Sequence, residues 1–123
     1  MARSWIGGND RAREGTWAWS DMSTFSYKSW ANKEPNDLRG EDCMHQGFIS
    51  KPIWNDLKCD KKLPFVCKVI YFSGNRYFIS SGKKNWMDAE KHCVEIGGHL
   101  TSIHSKEENE FLYKELVKRL GYS

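Results

Sequence analysis

The 123-residue chain has only three prolines and four cysteines, and no two cysteines form a Cys-x-x-Cys pair. Close pairs of that kind announce most zinc sites, and none of the four histidines sits at ligand spacing beside a cysteine. The spacing therefore argues against a zinc module. Long hydrophobic runs are missing too. Lys68 interrupts the best stretch, Leu63 to Phe72, so no membrane insertion is expected from this chain. Charge of one sign is scarce: 19 Lys and Arg against 16 Asp and Glu leave a net +3. That imbalance is too small to argue for nucleic acid. Met1-Ala2-Arg3-Ser4 does not read as a signal peptide, so any secretory leader is expected to have been removed or never attached. There is no internal repeat and no low-complexity linker.

What is present is a composition of 28% charged, 39% hydrophobic and 14% aromatic residues, including six tryptophans. A chain of this length and balance closes one core without a partner. In so small a Trp-rich domain, Cys43, Cys59, Cys67 and Cys93 favour two disulfides over buried thiols, and so an oxidising compartment. Spacing alone leaves all three connectivities open.

The two halves differ in character. Residues 1–72 are rich in Trp, Gly, Asn and Asp, with short alternating stretches such as Thr16-Trp17-Ala18-Trp19-Ser20, which reads as a half-buried strand. Leu63 to Phe72 and Arg76 to Ser80 flank Ser73-Gly74-Asn75 and read as two strands joined by a tight turn. In the second half, Asn85 caps a helix with apolar positions Trp86, Ala89, Cys93 and Ile96, stopped by Gly97-Gly98. Ser105 and Glu108 form a capping box for another helix, whose Phe111, Leu112, Leu116 and Leu120 make one face and which Gly121 ends. Both stripes are read as core, and the fold class is α+β.

The chemically dense segment is Glu34-Pro35-Asn36-Asp37-Leu38-Arg39-Gly40-Glu41-Asp42. Five of its nine side chains offer oxygen ligands, and four acids against one arginine give it −3. Hard cations such as calcium take six to eight oxygens from carboxylates and amides. Asn55-Asp56 follows Trp54, and Asp10 and Glu14 stand four residues apart. The alternative is a solvated acidic loop; the pattern is not an EF-hand. Two carboxylates could also serve a glycosidase, but that needs one carboxyl raised in an apolar cleft, whereas these crowd as acids do around a cation. His45, His92, His99 and His104 have no evident nucleophile partner, and His92 and His99 are read as structural. No enzyme is expected.

Together these residues resemble the C-type lectin-like domain, in particular its calcium-dependent, mannose-type members. Trp5-Ile6-Gly7-Gly8, Glu34-Pro35-Asn36, Gly40-Glu41-Asp42-Cys43, Trp54-Asn55-Asp56 and Phe65-Val66-Cys67 match that family's second half in order and spacing. Trp86 to Cys93 and Gly98-His99-Leu100-Thr101-Ser102-Ile103 match its first half. The order of halves is reversed, so the chain looks like one circularly permuted domain over 1–123. A calcium-loop half (1–72) is joined through 73–75 to a two-helix half (76–123). The rival is a piece straddling two tandem domains, whose halves would exchange between chains.

The resemblance implies bridges Cys43–Cys59 and Cys67–Cys93 and a cis bond before Pro35. It implies a sugar-site calcium held by Glu34, Asn36, Glu41, Asn55 and Asp56, with the same residues contacting the sugar. Asp10, Glu14, Asp37 and Asp42, with Glu41, match an auxiliary calcium site. Leu38 and Leu57 would form apolar lips or simply pack, and Asp21 and Asp60 are read as surface residues. Glu-Pro-Asn implies glycans with terminal mannose, N-acetylglucosamine or fucose, and Gln-Pro-Asp stands there in galactose-type members. The implied domain is monomeric and extracellular, clustered only by parts not present, with no nucleic-acid partner. The alternative within the same fold is a protein, ice or mineral ligand. Gly8 departs from the family's usual Leu, removing a core side chain. A third class rests on residues 58–84, where seven Lys or Arg face one acid; this is read as a solvated face unless a polyanion binds there.

Overall fold

The computed structural model describes residues 3–35, 40–47, 51–71 and 74–120. Its strands are β1 (Ser4–Asn9), β2 (Ala18–Trp19), β3 (Cys43–Gln46), β4 (Trp54–Leu57), β5 (Val66–Tyr71), β6 (Gly74–Ile79) and β7 (Gly98–Leu100). Its helices are α1 (Trp86–Glu95) and α2 (Lys106–Leu120). One antiparallel sheet has the order β2-β1-β3-β4 and the other β6-β5-β7. Between them lie two apolar clusters. The first gathers Ile6, Trp19, Met44, Trp54, Ile103, Leu112 and Leu116. The second gathers Trp5, Phe65, Trp86, Ala89 and Leu100 around Cys43, Cys67 and Cys93.

The expected hairpin forms with a shifted boundary. β5 and β6 pair from Val66↔Ile79 to Tyr71↔Gly74, so Gly74 and Asn75 belong to the strand and not to the turn; Ser73 lies outside the described residues. Leu63 is not in β5 but bridges Lys84. The strand around Trp17 shortens to Ala18–Trp19, with Trp19 buried and Trp17 packed at the edge of the first cluster.

Asn85 caps α1 as its residue type requires, Oδ1 accepting from the Asp88 amide at 2.8 Å, and Gly97 at φ 98° ends it. The capping box at α2 is half formed. Ser105 Oγ accepts from the Glu108 amide at 3.0 Å, but Glu108 Oε1 takes the amide of His104 at 2.7 Å instead of closing on Ser105. Two stripe positions are corrected: Ile96 and Phe111 are 41% and 50% exposed, Ile96 as the C-cap residue just beyond α1 and Phe111 with one side of its ring against Tyr77 of β6 and the rest in solvent. Gly121 lies outside the described residues. His99 is structural as read, its Nδ1 meeting Glu90 Oε2 at 2.6 Å while Glu90 Oε1 takes the amide of Leu100.

Lys68, the residue that broke the longest apolar run, is buried. Its ammonium meets Glu108 Oε2 at 2.8 Å and donates to Ser102 Oγ at 3.0 Å. Ser102 in turn donates to Asp21 at 2.6 Å, and Tyr77 donates to Glu108. Asp21 is therefore no plain surface residue: it closes a polar network that joins β5, β6, the segment after β7 and α2. Asp60 is exposed, as read.

The missing side chain at Gly8 is made good from across the sheet. A Cβ on Gly8 would collide with the Sδ and Cε of Met44, so methionine fills the vacated space. Gly8→Leu alone is therefore expected to destabilise by about 1–3 kcal/mol through overpacking. Adding Met44→Ala should recover much of that loss in urea unfolding. If the double variant is no more stable than Gly8→Leu, the compensation is refuted.

Candidate functional site

The oxygen-rich residues gather where β1 leaves its sheet. Trp5 pairs with His45 but Asn9 pairs with Cys43, so β1 accommodates extra residues as a bulge. Such a bulge re-aims the strand end. Asp10 then follows β1 with its amide bonded to Asp42 O at 3.1 Å, and its Oδ2 accepts from the Gly15 amide at 3.0 Å. Glu14 comes round on the same turn. Ligand atoms of Asp10, Glu14 and Asp42 all lie within 4.8 Å of one another. Asp10 is buried, and its Oδ1 has no hydrogen-bond partner among the described residues. A buried carboxylate oxygen without a donor is costly unless a cation completes it. An all-oxygen donor set of this kind suits calcium.

Upstream, the Glu34–Pro35 bond is cis, in accord with the resemblance. Asn36, Asp37 and Leu38 lie outside the described residues. Gly40 at φ 75° leads into Glu41 and Asp42, which enter β3 directly. Asn55 and Asp56 sit side by side on β4, paired with His45 and Met44 of β3. Glu34, Glu41 and Asp56 are not drawn into a second close carboxylate group among the described residues. The bridges are Cys43–Cys59 and Cys67–Cys93. The first ties the start of β3 to the end of the Asn55–Asp56 strand.

Beneath Asn55 lies His45, whose site role was not legible in the sequence. His45 is fully buried against Trp5, and its Nε2 is 3.2 Å from Asn55 Nδ2. Burial, reinforced by the charge of Arg3, pushes its pKa down to about 3, so the ring is neutral. A neutral ring nitrogen there accepts from the amide, and Asn55 Oδ1 has no hydrogen-bond partner among the described residues. Asn109 was also missed. Its Oδ1 accepts from Trp54 Nε1 at 2.9 Å and Gln46 Nε2 at 2.6 Å, and its Nδ2 donates to Pro52 O. One α2 side chain thus anchors both site strands. Leu57 packs on the Trp5–Cys43 cluster, the plain-packing alternative considered for it.

Four of the six tryptophans are buried, and Trp54 meets Trp19, Trp30 and Tyr27 edge-on at centroid distances of 5.4, 6.0 and 5.8 Å. The aromatics are scaffold under the loops. A two-sheet, two-helix domain that gives its long loops to converging carboxylates defines a loop-based binding module. The family described as Lectin C-type domain matches residues 1–69 and 82–122, and the chain belongs to that family.

The human C-type mannose receptor 2 is 31% identical over 141 residues, covering 94% of this chain and 10% of the receptor. The galactose-specific lectin nattectin of Thalassophryne nattereri is 42% identical over 66 residues, covering 53% of this chain and 41% of that lectin. The carbohydrate-recognition domain of the mouse scavenger receptor C-type lectin is 30% identical with a TM-score of 0.43, over 68% of this chain and 52% of that one. The chain thus spans about a tenth of the receptor and less than half of nattectin. As a member of this family it is a binding domain and not an enzyme. No helix among the described residues is long and apolar enough to cross a membrane.

Proposed function

We propose that the chain is a calcium-dependent carbohydrate-recognition domain of the mannose type, acting outside the cell. The observation that carries this reading is the convergence of Asp10, Glu14 and Asp42, in a chain whose sequence keeps Glu34-Pro35-Asn36 and Trp54-Asn55-Asp56 intact. Asp10, Glu14, Asp37 and Asp42 would hold an auxiliary calcium that braces the loop. Glu34, Asn36, Glu41, Asn55 and Asp56 would hold the sugar-site ion, which supplies two coordination positions for vicinal hydroxyls. The Glu34 and Glu41 carboxylates accept from those hydroxyls, and the Asn36 and Asn55 amides donate to them. That order of acid and amide suits terminal mannose, N-acetylglucosamine or fucose. One shallow site of this kind binds weakly, so clustering by other parts would supply avidity.

The test is retention on mannose-agarose at millimolar calcium with release by a chelator. No retention would overturn the sugar reading in favour of a protein, ice or mineral ligand.

The reversed order of halves is proposed to close within one chain. The two matched segments meet across residues 70–81, where the β5–β6 hairpin would join the ends of a reordered domain. A second reading has support of its own. The receptor match runs through both halves in the order written here, as a piece spanning two neighbouring domains would. Light scattering decides: a monomer with an internal Cys67–Cys93 bridge supports closure, and dimers linked through that bridge refute it.

A further inference from the structure

The basic run at 58–84 does not spread over a flat face. Lys61, Lys62 and Lys83 converge with Arg3 around a cavity of about 590 Å³. Among the described residues no carboxylate lines it, and none of the four cations forms an ion pair. Arg3 Nε is buried without a hydrogen-bond partner among the described residues. Four cations around one hollow repel each other, and an anionic ligand relieves that repulsion.

The site is held open by the scaffold. The Trp5 indole N–H is shared between the carbonyls of Lys61 at 3.1 Å and Lys84 at 3.0 Å. Leu63 and Lys84 exchange both backbone hydrogen bonds, each at 3.0 Å. The two cation-bearing segments are therefore fixed relative to each other, which lowers the ordering cost on binding. Asp60, next in chain to Lys61, does not line the hollow.

We infer that this cavity is a second ligand site, independent of calcium, for a sulfated oligosaccharide. Leu57, Leu63 and Leu120 give its lining an apolar part that suits the faces of sugar rings, while the lining cations match several sulfates on one chain. The volume falls in the range of small-ligand sites, roughly 300–1,000 Å³. Nucleic acid is the less favoured occupant, because among the described residues no aromatic side chain lines the hollow to stack a base. Lysine-dominated recognition suits point-charge pairing with flexible sulfates more than bidentate reading of a planar group.

The experiment is calorimetric titration of the chain with a heparin-derived oligosaccharide in chelator, at low and physiological salt. Binding is expected without calcium, weakening steeply with salt, and absent for the desulfated sugar. The variant Lys61→Gln/Lys62→Gln/Lys83→Gln changes exposed residues only and should bind about tenfold or more weakly. The equally charged control Lys91→Gln/Lys106→Gln/Lys114→Gln should stay within about twofold of wild type. Behaviour of the first variant on mannose-agarose should not change, which separates this site from the calcium site. Loss of binding in chelator alone, equal weakening in the control, or equal displacement by an oligonucleotide of matched charge would each overturn the assignment.

Discussion

Glu41→Ala is expected to abolish retention on mannose-agarose and to weaken calcium binding by on the order of a hundredfold or more. In the proposed ligand set Glu41 supplies a carboxylate to the ion and an acceptor to a sugar hydroxyl, so one change removes two interactions. The residue is only partly buried, and circular dichroism should report an intact fold. A partial effect from Glu41→Gln, which keeps the oxygen but loses the charge, would agree with direct coordination. The companion variant Glu34→Gln/Asn36→Asp should move retention from mannose to galactose resin, because it exchanges which position donates and which accepts. Wild-type retention of Glu41→Ala on mannose would show that the ligand set is wrong.

Lys68→Ala is expected to lower unfolding stability by on the order of 3 kcal/mol, since it leaves carboxylates in the interior without their cation. Lys68 is 6% exposed and Glu108 15%. The double variant Lys68→Met/Glu108→Gln should recover most of the loss, because an apolar and neutral pair needs no compensation there. Urea unfolding measures both. If Lys68→Ala costs no more than about 0.5 kcal/mol, as a surface change would, the network contributes little.

The same network has a pH signature. Burial would raise the Glu108 carboxyl, but hydrogen bonds from Lys68, Tyr77 and the His104 amide outweigh it and hold the pKa below its ordinary value. Asp21 behaves alike: burial opposes ionisation, and Ser102, Ser23 and the Lys68 charge prevail. For both, the folded pKa lies below the unfolded one. Their stabilisation is complete above the ordinary values of 4.5 and 3.8 and is lost as pH falls through the lowered ones. Tyr77 has the opposite sign. Burial first, then the bond to Glu108 and its charge, raise its pKa, so its stabilisation holds below 10.0 and fades as pH climbs towards the raised value. Lys68→Ala should flatten the acid limb of the stability profile.

Much of the fold was legible because local rules and tertiary packing agree. The Asn85 cap, the stop at Gly97 and the β5–β6 pairing all follow from residue types within a few positions of one another. The carboxylates of Asp10, Glu14 and Asp42 were legible as candidates, since acids crowded into loops are the oxygen donor set that a hard cation takes. Nothing in the sequence distinguishes Asn109 from the other polar residues of α2. Its part depends on Trp54 and Gln46, 55 and 63 residues away, and no periodicity carries that information.

By itself, the sequence determined the family, the two-helix half, the candidate oxygen ligands and the small net charge that conceals an acidic loop and a basic run. Only the tertiary structure decided which long-range partners meet. It buried Lys68 against Glu108, set His45 under Asn55 and filled the space above Gly8 with Met44. It also turned a basic stretch into a hollow by bringing Arg3 to Lys61, Lys62 and Lys83. The physical reason is the same in each case. Ligand type and helix caps are set by residues near in sequence, whereas desolvation and charge pairing depend on distance in space, which the chain acquires only when its two sheets close on the two clusters between them.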